Sequence, residues 1–273
     1  MRDVIPPCVS DRFENLFVPQ RRHCRLLQNG RKIMKILIIN GSPRRNGSNT
    51  MKVTDAFVRG IQEESGENTQ IDTVTLADCN IKPCSGCLSC WGRTEGECVI
   101  KDDDIPMIKD KVLSSDIIIE SFPLYFFGMP GIVKLFTDRM LSMMCTYRGQ
   151  KAVPGTPFHG LRYQAEDKKF VVISSCGYAL TDFVYDPLVA QLDCICGAGR
   201  YTPIFCPQGK TLRVPELKEK IDSFLEKFVR AGRELVKFGK IKDETYSKLH
   251  EPPFPERVFR MLLQKFWSDE KGM

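Results

Sequence analysis

The chain has 273 residues, 42% of them hydrophobic and 27% charged, an ordinary globular composition that suits one large domain with extensions. Its formal charge of +6 is uneven, because Arg2, Arg12, Arg21, Arg22, Arg25, Arg31 and Lys32 against Asp3, Asp11 and Glu14 leave residues 1–33 at +4 and the rest near neutral. A near-neutral body gives no electrostatic footprint for nucleic acid, and no stretch of about 18 apolar residues predicts a membrane-spanning helix.

Residues 1–33 carry no sustained period of 2 or 3.6, and Pro6, Pro7 and Pro19 interrupt any long element. They also lack an apolar secretory core, so a cytosolic, reducing location is expected. Asn29-Gly30-Arg31-Lys32-Ile33 is what a translated ribosome-binding site would look like, which makes Met34 the expected native start; a basic docking arm is the competing reading. Organised sequence begins there. Residues 35–40, Lys-Ile-Leu-Ile-Ile-Asn, form a continuous apolar run of the kind a buried parallel strand needs. Gly41 to Thr50 is a polar loop leading into a helix over 48–64, capped by Ser48 or Asn49. Ser42, Ser48 and Thr50 offer hydroxyls, Asn49 an amide and Arg44 a planar cation, all suited to a phosphate at a helix N-terminus. The loop lacks the endings of a triphosphate loop or a dinucleotide fingerprint, which argues against an ATPase or a Rossmann dehydrogenase.

Residues 70–76 alternate as an edge strand would. Residues 79–101 form a cysteine-rich loop, and Asp102, Asp103 and Asp104 suit the positive end of a helix running to about Ser114. A third strand over 116–122 leads into Pro123-Leu124-Tyr125-Phe126-Phe127-Gly128-Met129-Pro130-Gly131, an aromatic loop of fixed backbone fit to wall a flat amphipathic ring. A helix from Pro130 to Met144 turns Ile132, Val133, Leu135, Phe136 and Met140 inward. Residues 145–168 make a long connection, and His159 within it reads as an exposed loop residue. The fourth strand, Lys169–Ser175, runs into Cys176-Gly177-Tyr178, where small residues let backbone approach a ligand. A helix over 183–196, a fifth strand near Tyr201–Cys206 and a long amphipathic helix over 215–239 follow. The tail from Pro252 ends in a short helix, with Phe259, Leu262, Leu263, Phe266 and Trp267 expected to dock on the body or a second subunit. His23 and His250 read as surface residues, and Cys194 and Cys196 as helix residues without a ligand role.

Five strands alternating with helices predict a doubly wound parallel sheet with its chemistry in the loops after strands one, three and four. Those loops, from Gly41-Ser42-Pro43-Arg44 to Ser48-Asn49-Thr50 and from Ser121-Phe122-Pro123 to Asp138-Arg139, resemble the NAD(P)H-dependent FMN reductase branch of the flavodoxin-like superfamily over about residues 34–240. The resemblance implies FMN, sheet order 2-1-3-4-5, a homodimer or homotetramer and flavin-centred chemistry with no separate catalytic residue. By carry-over, Ser42, Arg44, Ser48, Asn49 and Thr50 would hold the phosphate, and Pro123, Leu124, Tyr125 and Phe126 the ring, with Cys176 and Gly177 nearby. NAD(P)H would stack on the exposed flavin, since no segment reads as a nicotinamide domain.

Cys84-Ser85-Gly86-Cys87-Leu88-Ser89-Cys90, with Cys98 seven residues on, has three thiols spaced to wrap one face of a cubane. It resembles the iron–sulfur flavoproteins of the same superfamily, which implies a 4Fe–4S cluster on Cys84, Cys87, Cys90 and Cys98 exchanging electrons with a ferredoxin-like carrier or a small-molecule acceptor. The long last gap, with Trp91 in it, departs from the usual spacing. Plain reduced thiols in a cluster-free FMN or quinone reductase and a zinc site stay open as alternatives, as does a non-catalytic flavodoxin-like carrier.

Overall fold

The computed structural model describes residues 27–28, 31–145, 160–163 and 167–270. The expectations for residues 1–26 with His23, for His159 and for most of the 145–168 connection fall outside them. Leu27–Gln28 pairs with Arg31–Lys32 as a two-residue antiparallel ladder.

The body is one parallel sheet of β1 (Met34–Asn40), β2 (Thr69–Thr75), β3 (Ile117–Pro123), β4 (Lys169–Ser175) and β5 (Thr202–Cys206) in the order β2-β1-β3-β4-β5. This is the expected 2-1-3-4-5 order. Strand composition explains each position. β1, β3 and β4 are apolar on both faces and lie inside, whereas β2 buries little beyond Val74 and sits at an edge. Alternation splits the core in two. Ile36, Ile38, Ile117, Ile119, Val171 and Ile173 pack against α1 (Asn49–Ser65) and α5 (Lys218–Phe238). Leu37, Ile39, Ile118, Phe122 and Val172 pack against α2 (Ile105–Ser114), α3 (Gly131–Arg139) and α4 (Asp186–Cys196) on the other face.

Ser48 caps α1, its Oγ accepting from Met51 N at 3.3 Å. α1 and α5 cross at two glycines: a Cβ on Gly60 would stand 1.9 Å from Val229 O, and one on Gly232 2.0 Å from Phe57 O. Backbone therefore touches backbone.

Several expectations need correction. α3 stops at Arg139, and a 3-10 turn, Met140–Met143, replaces its last stretch; only Val133 and Phe136 of its five inward residues are fully buried. α4 starts at Asp186, because Phe183 takes a left-handed φ of 62° that no helix tolerates. Asp103 and Asp104 bind side chains and backbone across the base of the cysteine loop instead of simply serving the helix dipole. His250 is half-buried, edge-on to Phe205 and Tyr246.

Beyond α5 the chain adds α6 (Asp243–Leu249), which the sequence pattern did not reveal, and α7 (Glu256–Glu270), longer than expected. Of the five tail residues expected to dock, Phe259 alone is fully buried. Leu262 and Leu263 are half-buried, and Phe266 and Trp267 lie exposed beneath Lys210, whose Nζ stands 4.2 and 3.8 Å from their ring centroids.

Candidate functional site

Because β1, β3 and β4 are neighbours, their C-terminal loops meet. Gly41 N donates to Ser121 O (2.8 Å), Leu124 N to Ser175 O (2.9 Å), and the Thr50 and Ser175 hydroxyls share a hydrogen bond of 2.6 Å. In the first loop Ser42, Ser48 and Thr50 are buried while Arg44 is exposed, with no ion pair among the described residues. Ser42 Oγ accepts from Arg44 N (3.3 Å) and Ser48 Oγ from Met51 N, so each hydroxyl keeps its proton to donate. The first-turn N–H groups of Asn49 and Thr50 have no partner within the helix. Asn40, at the end of β1, accepts from Ser42 N through Oδ1, and its buried Nδ2 has no partner among the described residues. The loop thus collects spare donors, which is what an anionic group requires. The Thr50 hydroxyl also links the first loop to the third.

In the second loop Tyr125 and Gly128 exchange both backbone hydrogen bonds (3.0 Å each), closing a tight turn over Phe126 and Phe127 at φ 48° and 66°. Consecutive left-handed residues are ordinarily Asn or Gly, so two phenylalanines there carry strain. Phe126 is 98% exposed, and Phe127 stacks on Tyr178 of the third loop with centroids 5.8 Å apart. Pro123 and Leu124 are half-buried beneath them. Gly177 is exposed, with nothing within 4 Å of where a Cβ would stand. Cys176 is buried in the core, where desolvation pushes its thiol up, so only its backbone reaches this edge.

The cysteine loop stands beside α3. Arg139 and Asp103 form an ion pair whose side chains are both 0% exposed. Arg139 Nη1 also donates to Lys82 O (2.8 Å) and Nη2 to Ile100 O (2.9 Å), tying the two ends of the loop together. Burial opposes the Asp103 carboxylate, but the Arg139 guanidinium and the N–H groups of Lys82 and Ile105 prevail and hold its pKa down. Trp91 Nε1 donates to Leu141 O (3.0 Å), so the tryptophan in the long gap anchors the loop. Cys84 and Cys87 are exposed, and Cys90 and Cys98 are half-buried. Hydrogen bonds from Ser89 and Ser85 lower the Cys87 thiol to about 7. Burial raises the Cys90 thiol, and so do the thiols of Cys98, Cys84 and Cys87 around it. Among the described residues no three metal-ligating side chains are drawn together tightly enough to hold a single ion.

The family described as having a flavodoxin-like fold matches residues 34–204, well over half of the chain. The chain belongs to that family. An iron–sulfur flavoprotein of Clostridioides difficile is 36% identical over 41% of this chain and 48% of its own length. One of Methanocaldococcus jannaschii is 35% identical over 45% of this chain and 60% of its own length. The matches thus span about half the length of these curated relatives. The fold also resembles an FMN-dependent NADH-azoreductase of Bacillus anthracis, solved in complex with FMN, at TM-score 0.53 and 20% identity over 75% of this chain and all of that one.

Within this flavodoxin-like frame, the positioning roles of three residues were not read from the sequence. Arg213 donates to Ser48 O (3.0 and 2.8 Å) and Asn46 O (2.8 Å), holding the first loop from beyond β5. Buried Gln208 bonds Ala179 O and both backbone groups of Phe254, fixing the third loop and the tail together. Arg139 holds the cysteine loop. Arg139 closes the stretch that carries the family resemblance, but its burial was not foreseen; nothing local marks Arg213 or Gln208.

Proposed function

We propose that this chain is an FMN-dependent oxidoreductase whose cysteine loop carries a 4Fe–4S cluster that relays single electrons between the flavin and a small carrier or acceptor. The observation that carries the reading is α3. Its N-terminus follows the aromatic loop and its C-terminus is Arg139, beneath the cysteine loop. Nine residues at 1.5 Å each make α3 about 13 Å long, so the proposed flavin and cluster sites would flank opposite ends of one helix.

Bound FMN would supply hydride and one-electron chemistry at its own ring. Ser42 and Ser48 would donate their free hydroxyl protons to its phosphate, joined by the N–H groups of Asn49 and Thr50, Asn40 Nδ2 and the Arg44 guanidinium. Pro123, Leu124, Tyr125 and Phe126 would form the apolar wall, with the open backbone at Gly177 against the ring edge. Cys84, Cys87, Cys90 and Cys98 would ligate the cluster. The three other thiols felt by Cys90 and the buried spare nitrogen of Arg139 fit such an anionic, thiolate-rich centre. NAD(P)H is the proposed hydride donor, in a cytoplasmic homodimer or homotetramer.

The test is absorbance, iron and acid-labile sulfide analysis on protein purified without oxygen. About four irons and four sulfides per FMN-bearing chain support the proposal. FMN without iron selects the second reading, a cluster-free NAD(P)H-dependent FMN or quinone reductase, which the exposure of Cys84 and Cys87 favours. No flavin after reconstitution overturns both.

A further inference from the structure

Resting on the cluster reading above, we propose that Arg139 and Arg162 tune the cysteine centre, their guanidinium groups donating to its sulfurs and holding its reduction potential up. Three buried side-chain nitrogens lack a partner among the described residues. One is Asn40 Nδ2 at the first loop; the other two are Arg139 Nε and Arg162 Nε. Both arginines border the segment that bears Cys84 to Cys98. Arg139 binds the loop's two ends through its other nitrogens, at Lys82 O and Ile100 O, each two residues from a cysteine of the loop. Arg162 reaches the opposite stretch, donating to Glu95 Oε1 (3.0 Å) and packing so closely that a Cβ on Gly96 would stand 3.1 Å from its Cδ. Lys109, also buried, donates to Gly96 O (2.6 Å) and Glu97 Oε1 (2.9 Å).

A guanidinium cannot shed its proton, so a buried N–H without an acceptor is destabilising unless something accepts from it. Asp103 already balances Arg139, and Glu95 and Glu97 are exposed and screened. What remains is spare donors at a loop of thiols. Four thiolates around a cubane make a net anion that gains a further negative charge on reduction. Donors and positive charge beside the sulfurs favour the reduced form and so raise the potential. A merely structural role would leave the potential alone.

The experiment uses the full chain purified without oxygen, as wild type, Arg162→Gln, Arg139→Gln and Arg139→Lys. Iron and sulfide are counted, and the cluster is titrated redox-wise while its spin signal is followed. Arg162→Gln is expected to keep its iron and sulfide yet lower the reduced-to-oxidised ratio at a fixed poise at least tenfold, about 59 mV for one electron. Arg139→Gln is expected to lose iron or shift further, and Arg139→Lys, which keeps the charge but not the fork, to fall between it and wild type. Iron-replete Arg162→Gln and Arg139→Lys at the wild-type potential would overturn the inference while leaving the cluster reading intact. Wild type without iron would overturn the cluster reading itself, and this inference with it.

Discussion

Phe126 shows at residue scale how a local rule gives way. Its left-handed φ costs about 1 kcal/mol or more for a bulky side chain, and its ring contributes almost no burial in return. Phe126→Asn, which suits that backbone, is expected to stabilise the flavin-free protein by about 1 kcal/mol in thermal unfolding and to weaken FMN binding. An unchanged FMN affinity would remove Phe126 from the proposed ring wall. Glu120 breaks another rule, as a carboxyl buried mid-strand in β3 between Ile39 and Val172, where desolvation raises its pKa from 4.5 to about 7. Below pH 4.5 the folded and unfolded states both hold the proton, so nothing is lost. Between pH 4.5 and 7 the folded state alone stays protonated, and stability falls by about 3 kcal/mol, a loss that persists above pH 7. Glu120→Gln should therefore stabilise the protein at pH 8 and change little at pH 4 in urea unfolding. Equal effects at both pH values would show that charge is not the cause.

At the scale of elements, the α1–α5 crossing and the hold of Arg213 on the first loop lead to opposite expectations. Gly60→Ala places a methyl against the Val229 carbonyl, so the helices must separate, and a loss of about 3 kcal/mol is expected on chemical unfolding. A neutral result would mean that the crossing relaxes freely. Arg213→Ala removes hydrogen bonds to Ser48 O and Asn46 O without disturbing the core. FMN affinity should fall about tenfold while the unfolding midpoint moves little, if the first loop holds the phosphate as proposed and Arg213 does little else than shape it. A matched loss of stability would make Arg213 a structural clamp only.

For the whole molecule, the question is whether the C-terminal helices are an ornament on the flavodoxin-like body. With their connecting segments they bury Ile241, Leu249 and Phe259, send Tyr246 Oη to Pro203 O (2.9 Å) and seat Phe254 on Gln208. Burial of three such side chains contributes about 5 kcal/mol, comparable to the net stability of many domains. A chain ending at Gly239 is thus expected to unfold at a markedly lower temperature, and because Gln208 also holds the third loop, to bind FMN less tightly. A truncated protein with wild-type melting and affinity would show the extension to be dispensable. Among the described residues no helix is long and apolar enough to cross a membrane.

Much of this was legible in the sequence, for local reasons. Apolar runs on both faces make buried parallel strands and weak alternation makes an edge, so strands and sheet order followed from composition together with the family resemblance. Ser48 announced its helix because a hydroxyl there satisfies an orphan N–H. The cysteine spacing marked the loop to which the proposed cluster is assigned. What the sequence could not announce depends on partners far along the chain. α6 was missed because its short span is settled by packing on α5 and β5. The burial of Arg139 is decided by Asp103, Lys82 and Ile100, which only folding brings to it. The strain at Phe126 and Phe127 arises because β3 and α3 fix both ends of their turn. Local pattern by itself determined the strands, the main helices and the loops between them; only the tertiary structure decided which buried cations and amides stand around those loops, because such contacts join residues that no periodicity relates.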